Sequence, residues 1–146
     1  QDAVAQLLKY GADANQGKMT ALMWAAFRGD EKQIQMLLKS GAAVNTTTPE
    51  GWTPLLWAVD QGHLRTVWAL NDAGADLYAR NRLGYDALML ASRKGHTDLV
   101  RFLIAKGLPV LAKNDQGKTA LDFAEEQGNI EIVQVLEQTS WLMHSN

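Results

Sequence analysis

The stretch "GWTPLLWAVDQGH", residues 51–63, places Trp52 and Trp57 close together and closes on a Gly-His pair. It reads either as a site, with His63 ready for acid/base work and the two indoles stacking on a ligand, or as scaffold. Similar text elsewhere in the chain decides between the two. "TALMWAAFRGD" starts at Thr20, "TPLLWAVDQGH" at Thr53, "DALMLASRKGH" at Asp86 and "TALDFAEEQGN" at Thr119, each 33 residues after the last. A fixed period of this size implies a stack of equal supersecondary units, so a residue is read by its place in the unit before it is read as chemistry.

Within a unit the local signals agree. Thr20, Thr53, Asp86 and Thr119 are N-cap residues able to accept from free helical N–H groups, and Pro54 sits at the first helical position, where its missing N–H costs nothing. Apolar residues such as Leu55 and Ala58 follow at helical spacing, and Gly29, Gly62, Gly95 and Gly128 end this short helix. A second helix is predicted from about Leu64 to Ala73, with its inward side marked by Ile34/Leu37, Val67/Leu70, Val100/Leu103 and Val133/Leu136, and with Gly41, Gly74 and Gly107 as stops. The polar segment before the next cap suits an extended hairpin.

This arrangement resembles the ankyrin repeat. "GWTPLLWAVDQGH" follows the family's Gly-x-Thr-Pro-Leu-His-x-Ala-Ala-x-x-Gly-His, and "LLKYGADAN" and "LLKSGAAVN" follow its Leu-Leu-x-x-Gly-Ala-Asp-Val-Asn. The resemblance implies an all-α solenoid of helix-turn-helix units with hairpin fingers. One domain over 1–146 is expected: a half repeat (1–15), repeats at 16–47, 48–80 and 81–113, a capping repeat at 114–139 and a tail at 140–146. The family's histidine is replaced by Met23, Leu56, Met89 and Asp122, so apolar packing is expected to take over the contacts it makes between units.

Comparison among the units separates scaffold from surface. Trp57 aligns with Trp24, Leu90 and Phe123, apolar throughout, and is assigned to the core. Trp52 aligns with Met19, Tyr85 and Lys118, so the fold does not require an aromatic there, and it is assigned to a contact surface. Trp68 aligns with Gln35, Arg101 and Gln134, which marks it as an exposed indole on the second helix. His63 aligns with Asp30, His96 and Asn129 as a turn residue, with no partner that would make it a general base. With His144 in the tail, the three histidines show no metal-ligand spacing. Gly117-Lys118-Thr119 imitates the end of a phosphate loop, but Ala112 stands where that loop needs glycine. Asn45-Thr46-Thr47 is a glycosylation sequon in a chain that shows no secretory signal.

The two ends differ. Glu125 and Glu137 stand where earlier units have apolar or small residues, as a terminal capping unit requires, and Trp141, Leu142 and Met143 are expected to fold against that cap. At the front, Val4, Leu7 and Leu8 mark a second helix without a first, which suggests a piece of a longer protein. The interval from Gly11 to Gly41 is 30 residues, so the first finger is expected to be short.

The resemblance places the variable positions on a concave groove. The candidate partner-binding residues are Trp52, Arg80, Arg82, Leu83, Tyr85, Lys113 and Lys118 on the fingers, with Phe27, Arg28, Asp60, Gln61, Arg93 and Lys94 at the ends of first helices. The arginines and lysines converge on the third and fourth units, which suits an acidic or phosphorylated peptide. The chain as a whole carries 14 Lys+Arg against 16 Asp+Glu and no cysteine, so neither nucleic acid nor disulfide or thiol chemistry is implied. The reading is a noncatalytic protein-binding module of the cytoplasm or nucleus, without cofactor or metal. The alternative is a targeting or regulatory part of a larger enzyme or effector.

Overall fold

The computed structural model describes residues 19–144, in which eight helices follow one another with no strand between them. They come as four pairs: α1 (Ala21–Arg28) with α2 (Glu31–Lys39), α3 (Pro54–Gln61) with α4 (Leu64–Asp72), α5 (Ala87–Lys94) with α6 (Thr97–Ala105), and α7 (Ala120–Glu126) with α8 (Ile130–His144). First helices stack in chain order, and each packs on its own second helix, giving an all-α repeat solenoid. The expected half repeat and most of the first finger lie outside the described residues.

The stacking follows from side-chain size. Ala25, Ala58, Ala91 and Ala124, one in each first helix, are all 0% exposed, so each site holds a methyl group with no room on a solvent side for more. Leu22, Leu55 and Leu88 fill the space beside them, each burial worth about 1.5–3 kcal/mol. From the second helices Ile34, Val67, Val100, Leu70, Leu103 and Leu136 close the core, while Leu37 and Val133, toward its two ends, are only partly covered.

Helix ends are set as the sequence implies. Thr20, Thr53, Asp86 and Thr119 accept from the N–H groups of Met23, Leu56, Met89 and Asp122. Asp122, where the ankyrin pattern has histidine, accepts in return from the Thr119 N–H at 2.9 Å and completes a capping box. Gly29 and Gly62 close α1 and α3 at φ 71° and 81°. They are also contact points, since a Cβ at Gly29 would lie 2.5 Å from the His63 ring and one at Gly62 2.6 Å from the His96 ring.

Met23, Leu56 and Met89, where the family has histidine, are at most 1% exposed, as apolar packing there requires. Polar contacts between units come from another position, where His63 Nε2 lies 3.0 Å from the Phe27 carbonyl oxygen and His96 Nε2 lies 2.9 Å from that of Asp60. A carbonyl only accepts, so both rings carry the proton on Nε2. Each bond satisfies a last-turn carbonyl of the preceding first helix, a group that its own helix leaves unpaired. In the first and last described units the same position does another job: Asp30 and Asn129 cap α2 and α8.

The fingers are hydrogen-bonded turns without a strand ladder among the described residues. Thr48, Asn81 and Asn114 begin them, and their side-chain oxygens take N–H groups that a ladder would use: that of Trp52, those of Leu83 and Tyr85, and those of Gln116 and Lys118. Neighbouring fingers are tied by Arg82 N–H donating to the Glu50 carbonyl at 2.9 Å and Asp115 N–H to that of Leu83 at 3.0 Å. At the far end, α8 meets no glycine after Leu136 and runs on through Trp141 and Leu142, which are 67% and 59% exposed. The expected fold-back of a tail onto the cap is thus replaced by a continuous helix.

Asp86 is the one N-cap carboxylate among the first helices, and it is buried. Burial raises its pKa above the ordinary 3.8, opposed by the Met89 N–H and by Arg80. The folded chain therefore holds this proton more tightly than the unfolded chain, and stability from this group falls as pH rises from about the ordinary value through the raised one. Asp86→Thr, which copies the sibling cap, is expected to match wild type at low pH and to become relatively more stable toward pH 7. Asp86→Ala should lose about 1 kcal/mol of cap. Urea unfolding across the acid range measures both.

Candidate functional site

Two first helices and a finger bring four aromatic rings together. Trp24 and Phe27 lie one turn apart on α1, with centroids 5.9 Å apart and planes at 74°. Phe27 meets Trp57 of α3 at 5.7 Å and 76°. Trp52, on the finger just before α3, stacks on Trp57 at 4.2 Å and 20°. Edge-to-face and offset-stacked contacts of this kind are the favoured aromatic geometries and fix the rings relative to one another.

The first three rings wall a concavity of about 420 Å³, which the finger residues Thr48, Pro49 and Glu50 and Met19 complete. Thr48 is held by its own turn, and Glu50 by the Arg82 N–H on its carbonyl. The Glu50 carboxylate makes no hydrogen bond or ion pair among the described residues, whereas Asp60, Glu126 and Glu131 are all paired.

Trp57 departs from its assignment to the core. It is half-buried, packed against the core on one side and lining the concavity on the other, with Trp52 half-buried on top of it. Its indole N–H is shielded from water and has no acceptor among the described residues. An unmet buried donor costs about 1–3 kcal/mol. Leu90 and Phe123 fill this position in sibling units with no N–H to satisfy, so stacking alone does not call for tryptophan. Comparison among units flagged Trp52 by its change of character but passed over Trp57 and Trp24, since an apolar residue that lines a pocket looks the same in sequence as one that fills a core.

The expected cationic residues are largely engaged within the chain. Asp60 is buried, and Arg93 and Lys94 approach its carboxylate at 3.5 Å and 3.4 Å, with Gln61 donating to it at 3.0 Å. The Arg93 guanidinium also lies 5.0 Å from the Tyr85 ring centroid, and Tyr85 packs on Phe123. Lys118 pairs with Glu126 at 2.6 Å, and the Glu126 carboxylate raises its pKa. Arg80 donates to the Lys113 carbonyl at 2.9 Å. Arg82, Lys113 and Leu83 remain exposed on the third and fourth fingers, and Arg28 is exposed at the end of α1. Phe27 and Trp52 thus share one site, while Tyr85, Arg93 and Lys118 belong to a separate packed cluster. The pairing on Asp60 predicts that Asp60→Asn, which leaves two cations facing a neutral amide, costs about 1–3 kcal/mol of stability in low-salt urea unfolding, and less in high salt.

Trp68 is 51% exposed on α4 and tilts against Phe102 of α6 at 6.0 Å, between two second helices. Lys118 and Thr119 of the phosphate-loop imitation serve an ion pair and a helix cap. Both amide atoms of Asn45, in the sequon, bond to the next unit, at the Gly74 carbonyl and the Asp76 N–H. Among the described residues no helix is long and apolar enough to cross a membrane.

No curated protein matches this sequence. The family model for ankyrin repeats (three copies) matches residues 1–81 and 73–140, nearly the whole chain. With its helices paired in series, the chain belongs to the ankyrin repeat family, whose members generally serve as protein–protein interaction modules.

Proposed function

We propose that this chain is a noncatalytic module that holds a segment of a partner protein against the face shared by its fingers and first helices, with the aromatic cluster of Trp24, Phe27, Trp52 and Trp57 as the anchor. The observation that carries the reading is the retention of tryptophan at position 57, with an unmet indole N–H, beside a concavity of about 420 Å³. That volume suits one large side chain and its flanking backbone. Rigid aromatic side chains at the centre of a contact are where binding energy concentrates. His63 and His96 use Nε2 on backbone carbonyls, a structural task rather than a catalytic one.

The acidic-peptide version of the reading has less support than the aromatic anchor, because Arg93, Lys94 and Lys118 already have carboxylate partners. A random peptide library selected on the wild-type protein provides ligands for a direct test. Trp52→Ala is expected to weaken the selected peptides by about 2 kcal/mol or more, while Arg82→Ala on the next finger changes little. Selected peptides that bind the Trp52→Ala protein with full affinity, measured by calorimetry, would move the site elsewhere.

A further inference from the structure

The concavity has a counterpart two units on, and there the place is filled. Two repeats after Met19, Thr48, Pro49 and Glu50 stand Tyr85, Asn114, Asp115 and Gln116. With Leu83 these line a void of only about 30 Å³, whereas the earlier set bounds a space of about 420 Å³.

The difference follows from which residue occupies each matching place. Tyr85 sends its ring from the third finger onto Phe123 of α7, with centroids 5.2 Å apart and planes at 33°, and the Arg93 guanidinium lies 5.0 Å from the Tyr85 centroid. Phe123 is the counterpart of Trp57, Arg93 of Phe27, and Tyr85 of Met19. The first finger thus supplies an unbranched thioether where the third supplies a ring. Among the described residues the rings that meet Trp57 are Phe27 of α1 and Trp52 of its own unit, and none comes from the finger before. The corner formed by Phe27 and Trp57 faces the finger across open space.

The rim differs in the same sense. The Asp115 N–H donates to the Leu83 carbonyl at 3.0 Å and ties the fourth finger to the third. Pro49 stands at the place of Asp115 and has no N–H to give, so its finger lacks that tie to the one before. A side chain from outside can enter there without breaking a bond that elsewhere joins two fingers.

We propose that the concavity receives an aromatic side chain of the partner protein, seated against Trp57 as Tyr85 is seated against Phe123 two units on. This rests on the binding face proposed above and names the residue class that it holds. A ring beside other rings gains from offset and edge-to-face contacts beyond the area it buries, which a saturated side chain of similar size does not.

The test uses peptides selected from the random library on the wild-type protein, together with Met19→Tyr, which copies Tyr85 and fills the place from within. The peptides are expected to share an aromatic residue, and changing that residue to cyclohexylalanine, of nearly the same size, is expected to weaken binding about fivefold in calorimetry. Met19→Tyr should weaken the aromatic peptides about tenfold or more, while its urea midpoint equals or exceeds that of wild type. Peptides without a shared aromatic residue, or one that binds equally well with cyclohexylalanine in place of its ring, overturn the proposal. That comparison needs only the wild-type protein, so it decides even where Met19→Tyr fails to fold. Full affinity of aromatic peptides for folded Met19→Tyr also overturns it. If the peptides still lose affinity with Trp52→Ala in any of these cases, the binding module stands and the aromatic assignment alone falls. Peptides indifferent to both Trp52→Ala and Met19→Tyr would remove both.

Discussion

The close approach of successive first helices governs this structure. Each of α1, α3, α5 and α7, which contact one another in series, carries a fully buried alanine with no exposed side to take a larger side chain. The glycines that end α1 and α3 obey the same limit, because the imidazole of the next unit occupies the space a Cβ would need. In exchange, that imidazole reaches a carbonyl that would otherwise lack a donor. Helix termination, inter-unit spacing and polar satisfaction are therefore one constraint seen from three sides, and His63 and His96 meet it in the second and third described units.

Once stacking is secured by small and aliphatic residues, the face toward the fingers is left with few obligations. In the first two described units it carries tryptophans and a phenylalanine around an open space. In the third and fourth, Tyr85 is closed off by Arg93 and Phe123, and the charges are matched by Asp60 and Glu126. The described units are therefore uneven, with an open aromatic concavity in the first two and a packed, mostly ion-paired cluster in the last two. Fingers that begin with Thr48, Asn81 or Asn114 keep this surface in place by holding their own turns closed, and cross-finger bonds from Arg82 and Asp115 hold them in register.

The periodic features were legible in the sequence: four N-caps, the glycine stops, the order of helices and the inward residues of both helix types all follow from spacing and turn chemistry. What escaped were features that depend on which neighbour a side chain finds. The sequence marks His63 and His96 as turn residues but does not reveal the carbonyl 36 positions away that each one reaches. Arg93 and Lys94 read as a basic surface until folding sets them beside Asp60. Trp57 read as core because an alignment of units registers apolarity and not the solvent-facing side of a half-covered ring. The terminal helix ran past its expected end because the sequence after Leu136 contains no residue that stops one.

The central claim is a division of labour, in which aliphatic residues and alanine hold the solenoid and the fold does not require the tryptophans at 52 and 57, which the proposed function uses instead. Replacing both with the residues of the next unit, Trp52→Tyr with Trp57→Leu, and measuring the free energy of unfolding in urea tests it most directly. The account predicts a loss of no more than about 1.5 kcal/mol, since half-buried rings are exchanged for residues the same position accepts elsewhere. A loss of about 3–5 kcal/mol, the cost of emptying a true core site, would show that the tryptophans hold the fold and contradict the claim.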